Sequence, residues 1–95
     1  GDIENSKTIF IAEGFATAAT IHEATGNICI VAYSASNLIP ITGIMRETYG
    51  ATKDIVIVAD NDSSGVGLRY AEQASAKYGA RIVMPDQPGG YRRTL

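Results

Sequence analysis

The sequence has a single cysteine, Cys29, among its 95 residues. One cysteine excludes an intramolecular disulfide and any zinc site built from cysteines. Because Cys29 lies inside the apolar run Ile-Cys-Ile-Val-Ala, we expect a buried and unreactive thiol there. A chain without disulfides fits the reducing cytoplasm, and that is the compartment we predict.

Membrane segments are lacking as well. No apolar run approaches the ~18 residues of a membrane-spanning helix, and no charged-then-apolar leader precedes Ile9. The chain starts at Gly1 rather than at a methionine, which suggests a domain excised from a longer protein. We therefore expect no membrane partner, and we expect neighbouring domains that this sequence does not include.

Positive charge is scarce. Eight lysines and arginines stand against ten aspartates and glutamates, which gives a net charge of −2. Proteins that hold nucleic acid by themselves usually carry clustered cations that contact the phosphates. If the substrate is a polyanion, metal ions or other domains must supply the positive charge.

The composition does provide for one small domain, with 45% hydrophobic residues and no repeats or low-complexity segments. We divide the chain into a polar lead or tag remnant at 1–7, a domain at 8–85 and an irregular tail at 86–95. The stretch around which the domain is organised is 55–67, Ile-Val-Ile-Val-Ala-Asp-Asn-Asp-Ser-Ser-Gly-Val-Gly. Its five leading apolar residues predict a strand that is buried on both faces.

Short apolar runs alternate with helical patterns along the domain, and each helix is followed by a glycine. We expect strands at 8–12, 28–32, 54–59 and 81–84, with helices at 15–25, from Ser36 or Asn37 to about Tyr49, and 65–78. Such alternation predicts an α/β fold with three layers, α/β/α, around a four-stranded parallel sheet. We expect helix 15–25 to face the sheet through Phe15, Ala18, Ala19 and His22, with a half-buried structural histidine.

Three carboxylates follow strands of this sheet. Glu13 comes directly after the first strand, and Asp60 and Asp62 come directly after the third. With a strand order of 2-1-3-4 these strand ends are neighbours at the switch point, where ligands bind in open α/β sheets. Two carboxylates two residues apart in extended chain can share a hard cation. We therefore predict a Mg²⁺ or Mn²⁺ site.

Small residues beside the acids predict a phosphate site. Ser63, Ser64 and Gly65 can cap the next helix and leave its amides facing a phosphate. Gly14 follows Glu13, and Asn37 lies in the loop after the second strand, where it either rims the site or caps a helix.

Two other readings of the acids are weaker. A calcium-binding EF-hand would need a bidentate acid where the sequence has Ala71, and a helix rather than a strand before the loop. A phosphoryl-aspartate protein would carry its acids after the first strand, which here offers only Glu13. For the five tyrosines we expect ordinary core or surface packing.

The residues resemble the Toprim domain shared by bacterial primases, type IA and type II topoisomerases and some nucleases. Glu13-Gly14 after the first strand and Asp60-Asn61-Asp62 with Gly65 after the third carry this resemblance. Three segments are similar to the primases of plasmids, phages and integrated elements. Their sequences are Ile-Ala-Glu-Gly-Phe-Ala-Thr-Ala, Ser-Ala-Ser-Asn-Leu and Asp-Asn-Asp-Ser-Ser-Gly-Val-Gly. The resemblance covers about residues 8 to 85.

The resemblance implies a Rossmann-like fold and a nucleotidyltransferase that joins ribonucleotides on a DNA template during DNA replication. It implies Glu13 as a general acid or base or an outer metal ligand, and Asp60 and Asp62 as magnesium ligands. DNA and ribonucleoside triphosphates would be its substrates, with zinc-binding or helicase domains as neighbours. The further acidic cluster of many plasmid-type relatives has no counterpart in the tail.

Two alternatives stay open from the sequence. The same acids could cleave phosphodiesters, as in Toprim nucleases or topoisomerases, because polymerisation and cleavage need the same metal-held geometry. A catalytically inactive scaffold or interaction domain is the third reading. In every case we expect the isolated domain to make no primers by itself.

Overall fold

The structure is a computed structural model, and it describes residues 7–50, 52–59, 65–87 and 90–93, with side-chain environments through Met84. Strands and helices alternate along the first 87 residues. The strands are β1 (Thr8–Ala12), β2 (Cys29–Val31), β3 (Asp54–Val58), β4 (Arg81–Gln87) and β5 (Gly90–Arg93), and the helices are α1 (Phe15–Thr25), α2 (Leu38–Tyr49) and α3 (Val66–Tyr78).

The sheet has the order β2-β1-β3-β4-β5, and β1 to β4 are parallel. This confirms the predicted α/β fold and the predicted order 2-1-3-4. The chain moves from β1 outward to β2, then returns past β1 to β3 and β4. Since crossovers between parallel strands are right-handed, this reversal places α1 on one face and α2 and α3 on the other.

Two apolar layers cover the faces of the sheet, in agreement with that arrangement. Alternate strand residues belong to each layer, because successive side chains of a strand point to opposite faces. One layer packs with α2 and α3 and contains Ile9, Ile11, Ile55, Ile57, Leu38, Ala71 and Ala74. The other packs with α1 and contains Phe10, Ala12, Val56, Val58, Val83, Ala18 and Ile21. The central strands are therefore buried on both sides, as their uninterrupted runs of apolar residues predict.

Of the residues expected on the inward face of α1, Ala18 is buried as predicted, but the prediction for Phe15, Ala19 and His22 was wrong. Ala18 and Ile21 are the buried residues of this helix, whereas Ala19 and His22 are exposed and Phe15 is 71% exposed. Turning Ile21 inward buries more apolar area than turning a histidine inward. His22 instead uses Nδ1 to donate a hydrogen bond of 2.8 Å to the Asn27 carbonyl.

The chain after Met84 also differs from the expected irregular tail. β4 continues through Pro85 to Gln87, and β5 pairs with it in antiparallel fashion, with a shift of register between Met84 and Gln87. Proline lacks a backbone N–H and is tolerated in a strand at irregular positions of this kind. The sheet therefore has a fifth strand, which lies at its edge.

Cys29 is half-buried on β2, and burial raises the pKa of its thiol to about 11. Thiolate is the reactive form of cysteine, so very little of it exists near neutral pH. This agrees with the expected unreactive thiol.

Within the described ranges, no helix is both long and apolar enough to span a bilayer.

The ends of α2 and α3 are joined by Arg46. Its guanidinium donates hydrogen bonds to four backbone carbonyls: those of Gly50 (3.1 Å), Lys53 (2.7 Å), Tyr78 (2.9 Å) and Gly79 (3.1 Å). These carbonyls belong to the C-terminal ends of two helices and to the segment leading into β3. We call these five residues the Arg46 network. It connects parts of the chain more than 30 residues apart at the amino-terminal edge of the sheet.

Gly43 allows α2 and α3 to pack closely. A Cβ atom at this position would lie 2.7 Å from Cζ and from the hydroxyl oxygen of Tyr78, well inside normal contact distance. The glycine weakens the helix locally, but it leaves room for the tyrosine ring.

We expect Gly43→Ala to lower the free energy of unfolding by about 1 kcal/mol. The overlap with Tyr78 costs roughly 1–3 kcal/mol, and the better helix propensity of alanine returns ~1 kcal/mol. Denaturant unfolding measures the difference. In a Tyr78→Ala background the same substitution is expected to stabilise the protein, and an equal loss in both backgrounds would contradict the steric explanation.

Candidate functional site

The carboxyl ends of β1 and β3 lie side by side. The two strands pair along their whole length, with Ile11 opposite Ile57 and Ala12 opposite Val58. The next residues of the two strands are Glu13 and Ala59, and Asp60 follows Ala59 directly in the sequence. This register brings the acid that follows the first strand to the end of the third, as expected at the switch point of an open sheet.

Glu13 is held in this position by its backbone. Its carbonyl accepts a hydrogen bond of 2.8 Å from the amide of Tyr33, at the end of β2. Its side chain is partly buried, and one carboxylate oxygen, Oε1, is enclosed. Glu13 is thus anchored between β1 and the loop after β2, with its carboxylate partly shielded from bulk water.

Gly14 starts α1 immediately after Glu13. Its φ of −115° is one that any residue adopts, and a Cβ atom there would meet no described atom within 4 Å. Neither the backbone conformation nor packing among the described residues requires glycine here. No described residue fills the space beside Glu13 at the N-terminal end of this helix, where backbone amides favour anions.

The loop after β2 contains an unusual backbone conformation at Tyr33. Its φ is +71°, in the left-handed region, and it is the one non-glycine residue with positive φ among those described. For a bulky residue this conformation costs about 1–2 kcal/mol. The residue as a whole is 78% exposed.

Asn37 stabilises the same loop. It occupies the N-cap position of α2, but its side chain makes no cap; Nδ2 instead donates to the Ala32 carbonyl at 2.9 Å. The capping role considered for Asn37 is therefore not the one it plays. Its amide ties the start of α2 to the end of β2, which fixes the loop that passes Glu13.

The remaining predicted site residues belong to the segment between β3 and α3. Gly65 is described: it precedes α3 with a φ of +71°, a conformation that glycine adopts without strain. Asp60, Asp62, Ser63 and Ser64 lie outside the described residues. Their predicted roles stay predictions.

Glu13, the described acid at this edge, is of the type that suits a hard divalent cation. Carboxylate oxygens are the preferred ligands of Mg²⁺, and the enclosed Glu13 oxygen lies at the strand end next to the one that leads into Asp60. No group of three or more potential metal ligands occurs within the part of the chain that is described. The predicted ligands Asp60 and Asp62 lie outside that part.

Cations are distributed unevenly around the domain. No lysine or arginine occurs between Lys7 and Arg46, so β1, α1, β2 and the following loop carry none. At the opposite edge, Arg81 at the start of β4 pairs with Asp54 at the start of β3 through Nε at 2.9 Å. β5 places Arg92 and Arg93 in register with Met84 and Val83. The segments on either side of Glu13 thus have no cation of their own to neutralise a phosphate.

Two aromatic residues at this edge were not singled out from the sequence. Phe15 was expected on the packed face of α1, and Tyr33 was expected to pack like the other tyrosines. Both are largely exposed. Their position directly after a strand end was the signal in the sequence that could have marked them.

Comparison with known proteins agrees with this geometry. The family profile of the Toprim domain matches residues 8–89. Two curated relatives, both DNA primase TraC from Escherichia coli, are 31% and 27% identical to this chain over 84 residues. Each alignment covers 81% of this chain but only 8% and 6% of the relative. No solved structure gives a significant match.

The match extends over most of the chain, from β1 to the end of β4, and includes Glu13 at the switch point of the sheet. The chain therefore belongs to the Toprim domain family.

Proposed function

We propose that this chain is the metal-binding catalytic module of a DNA primase, which joins ribonucleotides on a DNA template. The observation that carries the proposal is the register of β1 and β3, which brings Glu13 to the strand end that leads into Asp60. The similarity to TraC, whose name states a primase activity, supports this choice of reaction. Because the chain spans less than a tenth of those relatives, the module would act within a larger protein.

Three carboxylates would divide the work. Asp60 and Asp62 would hold Mg²⁺ or Mn²⁺, and Glu13 would move a proton at the reacting hydroxyl or orient the metal-bound groups. The bound metal would neutralise the charge that develops on the transferred phosphoryl group. The open space at Gly14 and the small residues Ser63, Ser64 and Gly65 would admit the phosphates.

Primer synthesis is favoured over phosphodiester cleavage by the relatives, both of which are named primases. Template DNA and ribonucleoside triphosphates would then be the substrates. With a net charge of −2 the chain has few phosphate contacts to offer. Neighbouring zinc-binding or helicase domains would then provide most of the contacts that bind DNA.

We expect the domain to bind Mn²⁺ weakly, with Asp60 and Asp62 as ligands, because a hard cation held by few carboxylates keeps most of its waters. Paramagnetic broadening of amide NMR signals measures this directly. The amides of Gly14 and of residues 61–65 are expected to broaden first.

The matched variant is the pair Asp60→Asn and Asp62→Asn, which removes both charges while preserving side-chain shape. It is expected to abolish the broadening at these amides. If broadening persists in this variant, or if it appears only elsewhere in the chain, the metal assignment is wrong.

A further inference from the structure

Two exposed aromatic side chains flank Glu13. Phe15 lies two residues after it and is 71% exposed, and Tyr33, whose amide donates to the Glu13 carbonyl, is 78% exposed. They are the most exposed large hydrophobic residues in the part of the chain that is described. Rings this exposed add little to the apolar core, so packing of the fold does not account for them.

The backbone at Tyr33 strengthens this argument. A positive φ is unfavourable for a tyrosine and free of strain for a glycine. Two hydrogen bonds hold the loop in this shape. The Tyr33 amide donates to the Glu13 carbonyl, and the Asn37 side chain donates to the Ala32 carbonyl. A strained backbone that presents an exposed ring indicates a role outside folding.

The distribution of charge indicates which part of a nucleotide these rings would contact. Residues 8–45 contain no lysine or arginine, so the segments that carry Phe15 and Tyr33 offer no side-chain cation of their own to a phosphate. An unpaired nucleobase is neutral and planar, and it gains affinity by stacking on an aromatic ring regardless of its sequence identity.

We propose that Phe15 and Tyr33 stack on unpaired nucleobases and thereby position a single strand or an incoming nucleotide beside Glu13. The inference rests on the proposed function for its class of substrate. A base in a template strand and a base in a nucleoside triphosphate would stack on an aromatic ring in the same way. The experiment below distinguishes these two sources of the base. Phe15 and Tyr33 are positioning residues and take no part in the chemical step.

The sequence contains no tryptophan, so a single substitution creates a unique fluorophore. We expect Tyr33→Trp and Phe15→Trp to show saturable fluorescence quenching by a single-stranded oligodeoxythymidine of about 10 nucleotides, within the usual site size of single-strand binders. GTP with Mg²⁺ tests the nucleotide as the source of the base. An abasic strand of the same length tests for contact with the backbone alone.

Ile44→Trp is the matched control, because Ile44 is also exposed, at 53%, but belongs to α2, which packs on the other face of the sheet from α1. It is expected to show no saturable quenching. In the Phe15→Trp reporter, a second substitution of Tyr33→Gly is expected to weaken the affinity for the oligonucleotide about tenfold, in line with the loss of one stacking partner. The same substitution is expected to leave thermal stability unchanged or to raise it, since glycine removes the strain.

Equal quenching by abasic and thymidine strands, or none by either base-bearing probe, would overturn the stacking proposal. So would a large loss of stability in Tyr33→Gly, which would assign the ring to the fold. If the Tyr33→Trp variant of the longer protein has blue-shifted emission before any ligand is added, another domain covers the surface and the proposal fails. Base-dependent quenching without any primer synthesis by the longer protein would preserve stacking and reject the primase assignment.

Discussion

Glu13→Gln is expected to slow primer synthesis by the longer protein by ~10²-fold or more, the usual contribution of a positioned acid or base. The substitution preserves the shape of the side chain and removes its charge and its ability to exchange a proton. Steady-state primer synthesis at saturating nucleotide measures the effect. Glu23→Gln is the matched control, because Glu23 is an exposed glutamate on α1, and it is expected to leave the rate unchanged.

The stability of the metal-free domain is expected to respond in the opposite sense. Carboxylates placed close together repel one another when no cation is present. Glu13→Gln is therefore expected to leave the free energy of unfolding unchanged or to raise it by up to roughly 1 kcal/mol. A loss of several kcal/mol would assign Glu13 to the fold, and an unchanged rate of primer synthesis would remove it from the mechanism.

Arg46→Ala is expected to lower the free energy of unfolding by about 3 kcal/mol, because hydrogen bonds from a charged donor contribute roughly 1.5–3 kcal/mol each and several are lost together. The four carbonyls of the Arg46 network lose their donor at once. Denaturant unfolding measures the change. Metal binding at the opposite edge of the sheet should be unaffected wherever the domain remains folded.

Two further variants test the geometry of this network. Arg46→Lys retains the charge, but one ammonium cannot reach four carbonyls arranged around a planar guanidinium, so we expect most of the loss to remain. Arg69→Ala removes an exposed arginine from α3 and is expected to change stability by less than about 0.5 kcal/mol. Equal effects of Arg46→Ala and Arg69→Ala would show that the network contributes nothing beyond surface charge.

Strand and helix positions followed from local patterns in the sequence, and the order 2-1-3-4 was chosen because it brings the three acids together. Uninterrupted apolar runs such as 55–59 indicate strands buried on both faces, and glycines at 26, 50 and 79 mark the ends of the helices. The position of Glu13 at the switch point followed from the strand order. These features depend on periodicity and on chain connectivity, both of which a single sequence carries.

Features set by tertiary packing could not be predicted in the same way. α1 is rich in alanine and threonine, so several of its faces are similarly apolar. Packing against the sheet determines that Ile21 rather than His22 is buried. The Arg46 network joins carbonyls that are distant in sequence. Because every residue has a backbone carbonyl, the residue types at these positions do not reveal the contact. β5 was missed because a strand of four residues that itself begins with the second of two glycines after Pro88 gives too short a pattern.

The starts of the three helices have a consequence for local motion. The N-cap residues Gly14, Asn37 and Gly65 provide no side-chain cap, and all three starts lie at the carboxyl edge of the sheet. Helix ends without such caps open more easily than strands in the centre of a sheet. In native-state hydrogen exchange, amides in the first turn of α2 should exchange through local fluctuations, whereas the amides of Ile11 and Ile57 should exchange only on global unfolding. The domain would then adapt its ligand-binding edge while its remaining structure stays closed.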